Sequence, residues 1–355
     1  MEISSAAVVL PCPDLSASLE FFIDELGFVV ESFWPADNPA VAELVGHGAR
    51  VRLDSAAEGD AGTLILRVSE SNDISAPAAA PNGTRIVIEA ARPDLVLPAS
   101  EQKLVISRSA DGSWGVGRAG MRYRDLIPER EGGRFIASHI HIPDGGPVPD
   151  YVHHHHIRFQ LIFVRSGWVR VVYEDQGDPF VMEAGDAVLQ PPHIRHRVLE
   201  SSDDLEVIEI GCPAEHRTAA DLQMKLPTSL HRPDRDFGGQ RFCRHVASSA
   251  VWERSALPGF ECRNSGIDAA TNGLADVRVH RAGGSEPVSD LVAHGGEFQF
   301  FFVLAGSVGL DLPDGAQQLS SGDSVTLPAE MGFRFRDPSP DLQLLDVNLP
   351  AAAQR

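Results

Sequence analysis

The feature that most constrains this chain is a repeat. Gly120 and Gly259, Arg124 and Arg263, His141 and His280, Gln160 and Gln299, and Gly167 and Gly306 each stand 139 positions apart. The segment FQLIFVRSG ending at Gly167 matches FQFFFVLAG ending at Gly306 in pattern, residue by residue. Further on, Gly185-Asp186 answers to Gly322-Asp323 and Pro191 to Pro328, with a small offset. A pattern repeated at this length means two copies of one domain, from about residue 100 to the C-terminal region. Strand-like runs punctuated by glycine and proline dominate both copies, so each copy is expected to be a β-barrel.

At 355 residues the chain can hold two or three domains with cores of their own. Its 30 basic and 50 acidic residues leave a formal charge of −20. Nucleic acid and anionic membrane surfaces are recognised through basic patches, so neither is expected as a partner. No run of 18 apolar residues occurs, and the N-terminus lacks a basic segment followed by an apolar one. Cys12, Cys212, Cys243 and Cys262 are scattered without CxxC spacing, which reads as reduced thiols in a cytoplasmic protein.

The chemistry gathers between residues 146 and 200. His154 and His156 lie two apart in a strand-like run, so both leave the same face. Gly185-Asp186 opens a short apolar strand, Pro191-Pro192 stops it, and His196 follows. Two imidazoles from one strand and a third from its neighbour can hold a transition metal with one side left open. Counted by the same parity, Arg158 and Gln160 also face the site. Arg158 suits a substrate carboxylate, and Gln160 suits either a structural hydrogen bond or a substrate contact. Tyr173, Arg195 and Arg197 alternate the opposite way and are expected on the outer face, while Phe159, Phe163 and Trp168 read as packing residues. The run of four histidines leaves a second register open, in which His153 and His155 replace His154 and His156. HxH at His139 and His141 is a weaker rival. In the second copy Ala293 and Gly295 stand where His154 and His156 stood, and Phe333 replaces His196. That copy is expected to be structural.

These motifs resemble the cupin family, whose first motif is a glycine, an HxH pair, a glutamate and a closing glycine. Its second is a glycine-led strand with a proline and a final histidine. His154, His156, His196, Gly167, Gly185 and Pro191 carry the match, and Gln160 stands where the family places its glutamate. The resemblance implies a bicupin: a metal-binding barrel over 100–228 and a degenerate one over 229–355. A site of three histidines with a neutral fourth group is similar to that of three-His cupin dioxygenases. It implies one divalent transition metal, Fe(II) by analogy with Mn, Ni, Cu or Zn as alternatives, acting on a small anionic substrate such as an aromatic hydroxy acid or diketone. Two rivals stand beside that expectation: a non-redox metal cupin (isomerase, lyase or hydrolase), and a small-molecule-binding bicupin without turnover.

Residues 1–70 read as strand, helix and three strands. Leu19, Phe22, Ile23 and Leu26 fall at helical spacing, with Ser16 as N-cap and Gly27 as C-cap. Strands are expected over 28–34, 49–55 and 62–69. This βαβββ order resembles one module of the vicinal-oxygen-chelate (glyoxalase/bleomycin-resistance) superfamily. Ala7 stands where that family commonly has a metal-binding histidine, so no second metal centre is expected there. A half-module with open strand edges is expected to pair with a second copy as a homodimer, the alternative being that it packs as a lid on the cupin. Residues 71–82, rich in Pro, Ala and Ser, read as a linker, and a connecting strand follows before residue 99.

Overall fold

The computed structural model describes residues 1–69, 78–117, 120–284 and 290–350. The chain separates into two compact units, Met1–Asp94 and Leu95–Arg355. Most of the linker expected at 71–82 lies outside the described residues. No helix among the described residues is long and apolar enough to cross a membrane.

In the first unit β1 (Val8–Pro11) leads into α1 (Leu15–Glu20), then β2 (Val29–Trp34), β3 (Val41–Gly46), β4 (Ala49–Asp54), β5 (Thr63–Val68) and β6 (Arg85–Ala90). Four strands form a sheet in the order β1-β4-β3-β2, with β1 parallel to β4. The helix is capped by Asp14, whose carboxylate accepts from the Ala17 amide at 3.0 Å, rather than by Ser16. Gly27 ends the helical run at φ +70°, a conformation that favours glycine. The strand expected over 62–69 forms as β5 but leaves this sheet to pair in parallel with β6. Its expected place is taken by β3, which buries Ala42 and Leu44 in the core beside Phe22, Phe28 and Leu53.

The second unit begins with β7 (Val105–Ser107), β8 (Gly115–Val116), β9 (Arg122–Asp125), β10 (Ile136–Ile142) and β11 (Gly146–Pro147). Then come β12 (His153–His156), β13 (Phe159–Ser166), β14 (Trp168–Tyr173), β15 (Phe180–Glu183), β16 (Ala187–Leu189) and β17 (His196–Ser201). The first half closes with β18 (Leu205–Cys212) and β19 (Arg217–Ala220). The second half supplies β20 (Cys243–His245), β21 (Glu253–Arg254), β22 (Phe260–Asn264), β23 (Asp276–Ala282) and β24 (Phe298–Ala305). It ends with β25 (Ser307–Leu312), β26 (Gly315–Ser320), β27 (Ser324–Thr326), β28 (Arg334–Arg336) and β29 (Gln343–Leu349).

These strands make the two jelly-roll barrels expected from the repeat. In the first, the sheets β20-β16-β13-β18-β10-β9-β8 and β15-β14-β17-β12-β19 enclose Val164, Val171, Met182 and Val207. In the second, β21-β22-β23-β29-β24-β27-β7 and β26-β25-β28 enclose Phe301, Val303, Leu310, Phe333 and Phe335. Because side chains alternate along a strand, β13 sends Phe159, Leu161 and Phe163 to its other face, as β24 sends Phe298, Phe300 and Phe302. Those residues form one shared core in which the two seven-stranded sheets meet, with Phe135 stacked on Phe298 at 4.1 Å.

Two details revise the sequence alignment of the halves. Across β10 and β18, His139 pairs with Ile208, whereas the equivalent of Ile208, Leu345, pairs with Val279. One extra residue before β23 therefore puts His280 in the place of Ile140, and the match of His141 with His280 is one of number, not of position. The halves also exchange arms: β7 joins the sheet of the second barrel through β27, and β20 joins that of the first through β16. Arg124 fastens one exchange, donating to the carbonyls of Arg108 at 3.1 Å and Gly322 at 2.5 Å. Its repeat partner Arg263 donates to the carbonyl of Ala247 at 3.2 Å.

One buried carboxyl makes the second unit sensitive to pH. Glu131 is only 2% exposed. Burial pushes its pKa from 4.5 up to about 7, against a weaker opposing hydrogen bond from Ser100. A carboxyl whose folded pKa is raised binds more protons folded than unfolded, so stability falls as pH climbs from about 4.5 to about 7 and is level above that. Glu131→Gln is expected to flatten that slope and to stabilise the protein at pH 8 by about 1–3 kcal/mol. Urea unfolding of both proteins at pH 5 and pH 8 checks this, and equal slopes with pH would contradict it.

Candidate metal centre

Four consecutive histidines occupy β12, and alternation must send two of them to each side. Register decides which. His153 pairs directly across from His196 on β17, and His196 in turn stands opposite Tyr173 on β14. Cross-strand partners share a face, and Tyr173 and Val171 belong to the first barrel's interior. His153, His155 and His196 therefore turn inward, each with one ring nitrogen within 4.8 Å of the others. Among the described residues this is the one group of three or more His, Cys, Asp or Glu whose ligand atoms already lie that close together.

Neighbouring oxygens orient the rings. His153 Nδ1 lies 2.9 Å from the carbonyl of Tyr151, and His196 Nδ1 lies 3.0 Å from that of Ile194. A carbonyl only accepts, so both Nδ1 atoms carry the hydrogen and the ring lone pairs sit on Nε2. His155 Nδ1 meets Thr218 Oγ1 at 2.8 Å, and the hydroxyl can take the same acceptor role. Oxygens behind each ring, fixing its tautomer, are the usual support of imidazole ligands. The donor set is thus three imidazole nitrogens, which fits a borderline transition ion, with the buried Asp150 carboxylate 3.5 Å from His153 Nδ1.

The expected pair His154 and His156 is not brought to His196. Both sit on the opposite face, against His193, with ring centroids 5.4 Å and 5.0 Å from it. Burial, then the charge of Arg195, lowers the His154 pKa to about 4. The parity count fails at a corner: Ile157 and Arg158 carry the chain out of one sheet and into the other, so alternation does not run through from Gln160 to His156. Tyr173, expected outside, is 2% exposed and stacks on His196 at 5.5 Å. Burial raises its phenol pKa, outweighing the opposing hydrogen bond that Gln190 Nε2 donates to its oxygen at 2.7 Å, so the phenol keeps its proton.

Gln160 does face the interior. Its Nε2 donates to Glu209 Oε1 at 2.7 Å, while its Oε1 is buried with no hydrogen-bond partner. The matching pair in the second barrel, Gln299 to Asp346, spans 3.4 Å, so the amide–carboxylate contact belongs to both copies. Arg158 is not brought to the imidazoles. Its guanidinium reaches Glu297 of the second barrel at 2.5 Å, where Arg134 also binds at 2.6 Å. Burial would raise the Glu297 pKa, but these two cations outweigh it and lower it. His139 and His141 point to Glu206 at 2.6 Å and Asp204 at 3.0 Å. In the second barrel both ring nitrogens of His294 meet main-chain groups, the carbonyl of Leu327 and the amide of Gly296. Glu209, Gln190 and Thr218 were not legible from sequence, because their importance comes from cross-strand position alone.

Residues 138–211 match the family model of the cupin domain. Among solved structures, the E. coli protein Ylba superposes with a TM-score of 0.50 at 10% identity, covering 73% of this chain and 96% of that one. A variant of the Bacillus subtilis oxalate decarboxylase gives 0.51 at 11% identity, covering 71% and 78%. The Lactobacillus farciminis oxalate decarboxylase–formate complex gives 0.50 at 11%, covering 70% and 86%. No curated protein matches the chain. At these identities the structural likeness establishes the fold alone. The three-histidine group lies within the span that matches the cupin domain.

The orientation of His155 gives a direct test. Thr218→Val removes the oxygen behind its ring while keeping the shape, and is expected to weaken binding of Zn(II) or Mn(II) by about 10–100-fold. Equilibrium dialysis of the two proteins measures it, and unchanged affinity would show that the hydroxyl does not position the ligand.

Proposed function

We propose that the chain is a metal-dependent cupin dioxygenase for a small anionic substrate, with His153, His155 and His196 as ligands of one divalent transition ion. The observation that supports this reading is the convergence of three imidazoles whose Nδ1 atoms are already engaged from behind. Bound there, the ion would supply a Lewis acid and a redox-capable centre that orients a chelating substrate. Fe(II) suits the proposed chemistry, although three imidazoles accept several metals. The B. subtilis oxalate decarboxylase, which shares the fold, is described with Mn(II) centres.

The surrounding residues would bind and orient. The Tyr173 phenol, kept neutral by burial, can donate to an anionic oxygen. The Oε1 of Gln160 is a buried acceptor that a substrate hydroxyl would satisfy. Val171, Met182 and Val207 supply an apolar setting in the same barrel core as Tyr173. A second reading, a non-redox isomerase or lyase, is favoured by Glu209, a carboxylate facing the same interior that could carry a proton.

Oxygen-electrode assays of the Fe(II)-loaded full chain against aromatic hydroxy acids and diketones separate the two. We expect substrate-dependent oxygen consumption that disappears in His153→Ala and His196→Ala. A metal-loaded protein that consumes no oxygen across the panel would remove the dioxygenase reading.

A further inference from the structure

The outward pair of β12 has its own partner. His193 follows Pro191-Pro192 and is anchored to the strand by its amide, which donates to the carbonyl of His155 at 3.0 Å. This brings its Nδ1 to 3.4 Å from the Nδ1 of His154. The ring of His156, one step along the same face, lies nearly parallel to that of His193, with centroids 5.0 Å apart and planes 23° apart. Three imidazoles thus neighbour one another on the outside of the barrel wall, with the His154 and His193 nitrogens already within ligand reach and the His156 ring beside them. All three are at least partly open to solvent.

A nitrogen–nitrogen separation of 3.4 Å is long for a hydrogen bond between two rings. It is the chord that two ligands subtend at a tetrahedral ion, since bonds of ~2.0–2.1 Å place their nitrogens ~3.4 Å apart. The charge nearby does not forbid a cation. Arg195, whose charge is felt at His154, is held by the Asp221 carboxylate at 3.3 Å, and Arg217 pairs across from His156. Imidazole donors discriminate against Mg and Ca, and favour Zn, Ni, Cu and Co.

We propose that His154 and His193, with His156 completing the set after a turn of its ring, form a second, outer site for a divalent transition ion. The strand β12 then carries two sites back to back, and the assignment of the outer one does not rest on the reading of the inner one. His193 adopts φ +63°, a conformation that asparagine accepts well, so His193→Asn removes the imidazole without straining the loop.

Equilibrium dialysis of the metal-free full chain against Zn(II) tests this. Wild type is expected to bind two equivalents, the second more weakly. His193→Asn is expected to lose the weaker one and keep the tighter, while His196→Ala does the reverse, with circular dichroism confirming that both variants fold. A wild type whose only equivalent is kept in His193→Asn would overturn the proposal. So would a second equivalent that survives in both His193→Asn and His154→Gln. Loss of the tighter equivalent alone in His196→Ala bears on the inner site and leaves the outer one to its own variants.

Discussion

The second unit depends on two seven-stranded sheets pressing against each other. Phe159, Leu161 and Phe163 from one barrel and Phe298, Phe300 and Phe302 from the other are almost fully buried in a single core. Burying such side chains contributes roughly 1.5–3 kcal/mol each. Since each strand has only two faces, committing the odd positions of β13 to this interface commits Gln160 and Ile162 to the barrel interior. The placement of the polar residues thus follows from the apolar ones.

That constraint explains what the sequence made legible. The repeat, the two barrels and the apolar faces of β13 and β24 follow from patterns that persist over many residues. His196 was legible because it follows a turn signal in a fixed setting. The choice between His153/His155 and His154/His156 depended on one bend at Ile157-Arg158, where the chain changes sheets. Alternation is informative along a strand and silent across a corner. The same limit misplaced Tyr173, whose direction is set by its pairing with His196.

Arg158 and Gln160 differ in the same instructive way. Both were read inward from one count, yet Gln160 lies within β13 and obeys its parity, while Arg158 lies at the corner and turns to Glu297. Glu209 and Thr218 gave no local signal at all. Their parts come from strands that are distant in sequence and adjacent in the sheet, a relation that no short motif records.

The exchange of β7 and β20 bears on the part played by a second barrel in which Val292, His294 and Phe333 stand where the first has His153, His155 and His196. Each cylinder has one stave cut from the other's timber, and Arg124 rivets one of the two. Removing the second half would strip the first of a wall strand and uncover its phenylalanines. The second barrel thereby serves the first as part of its wall.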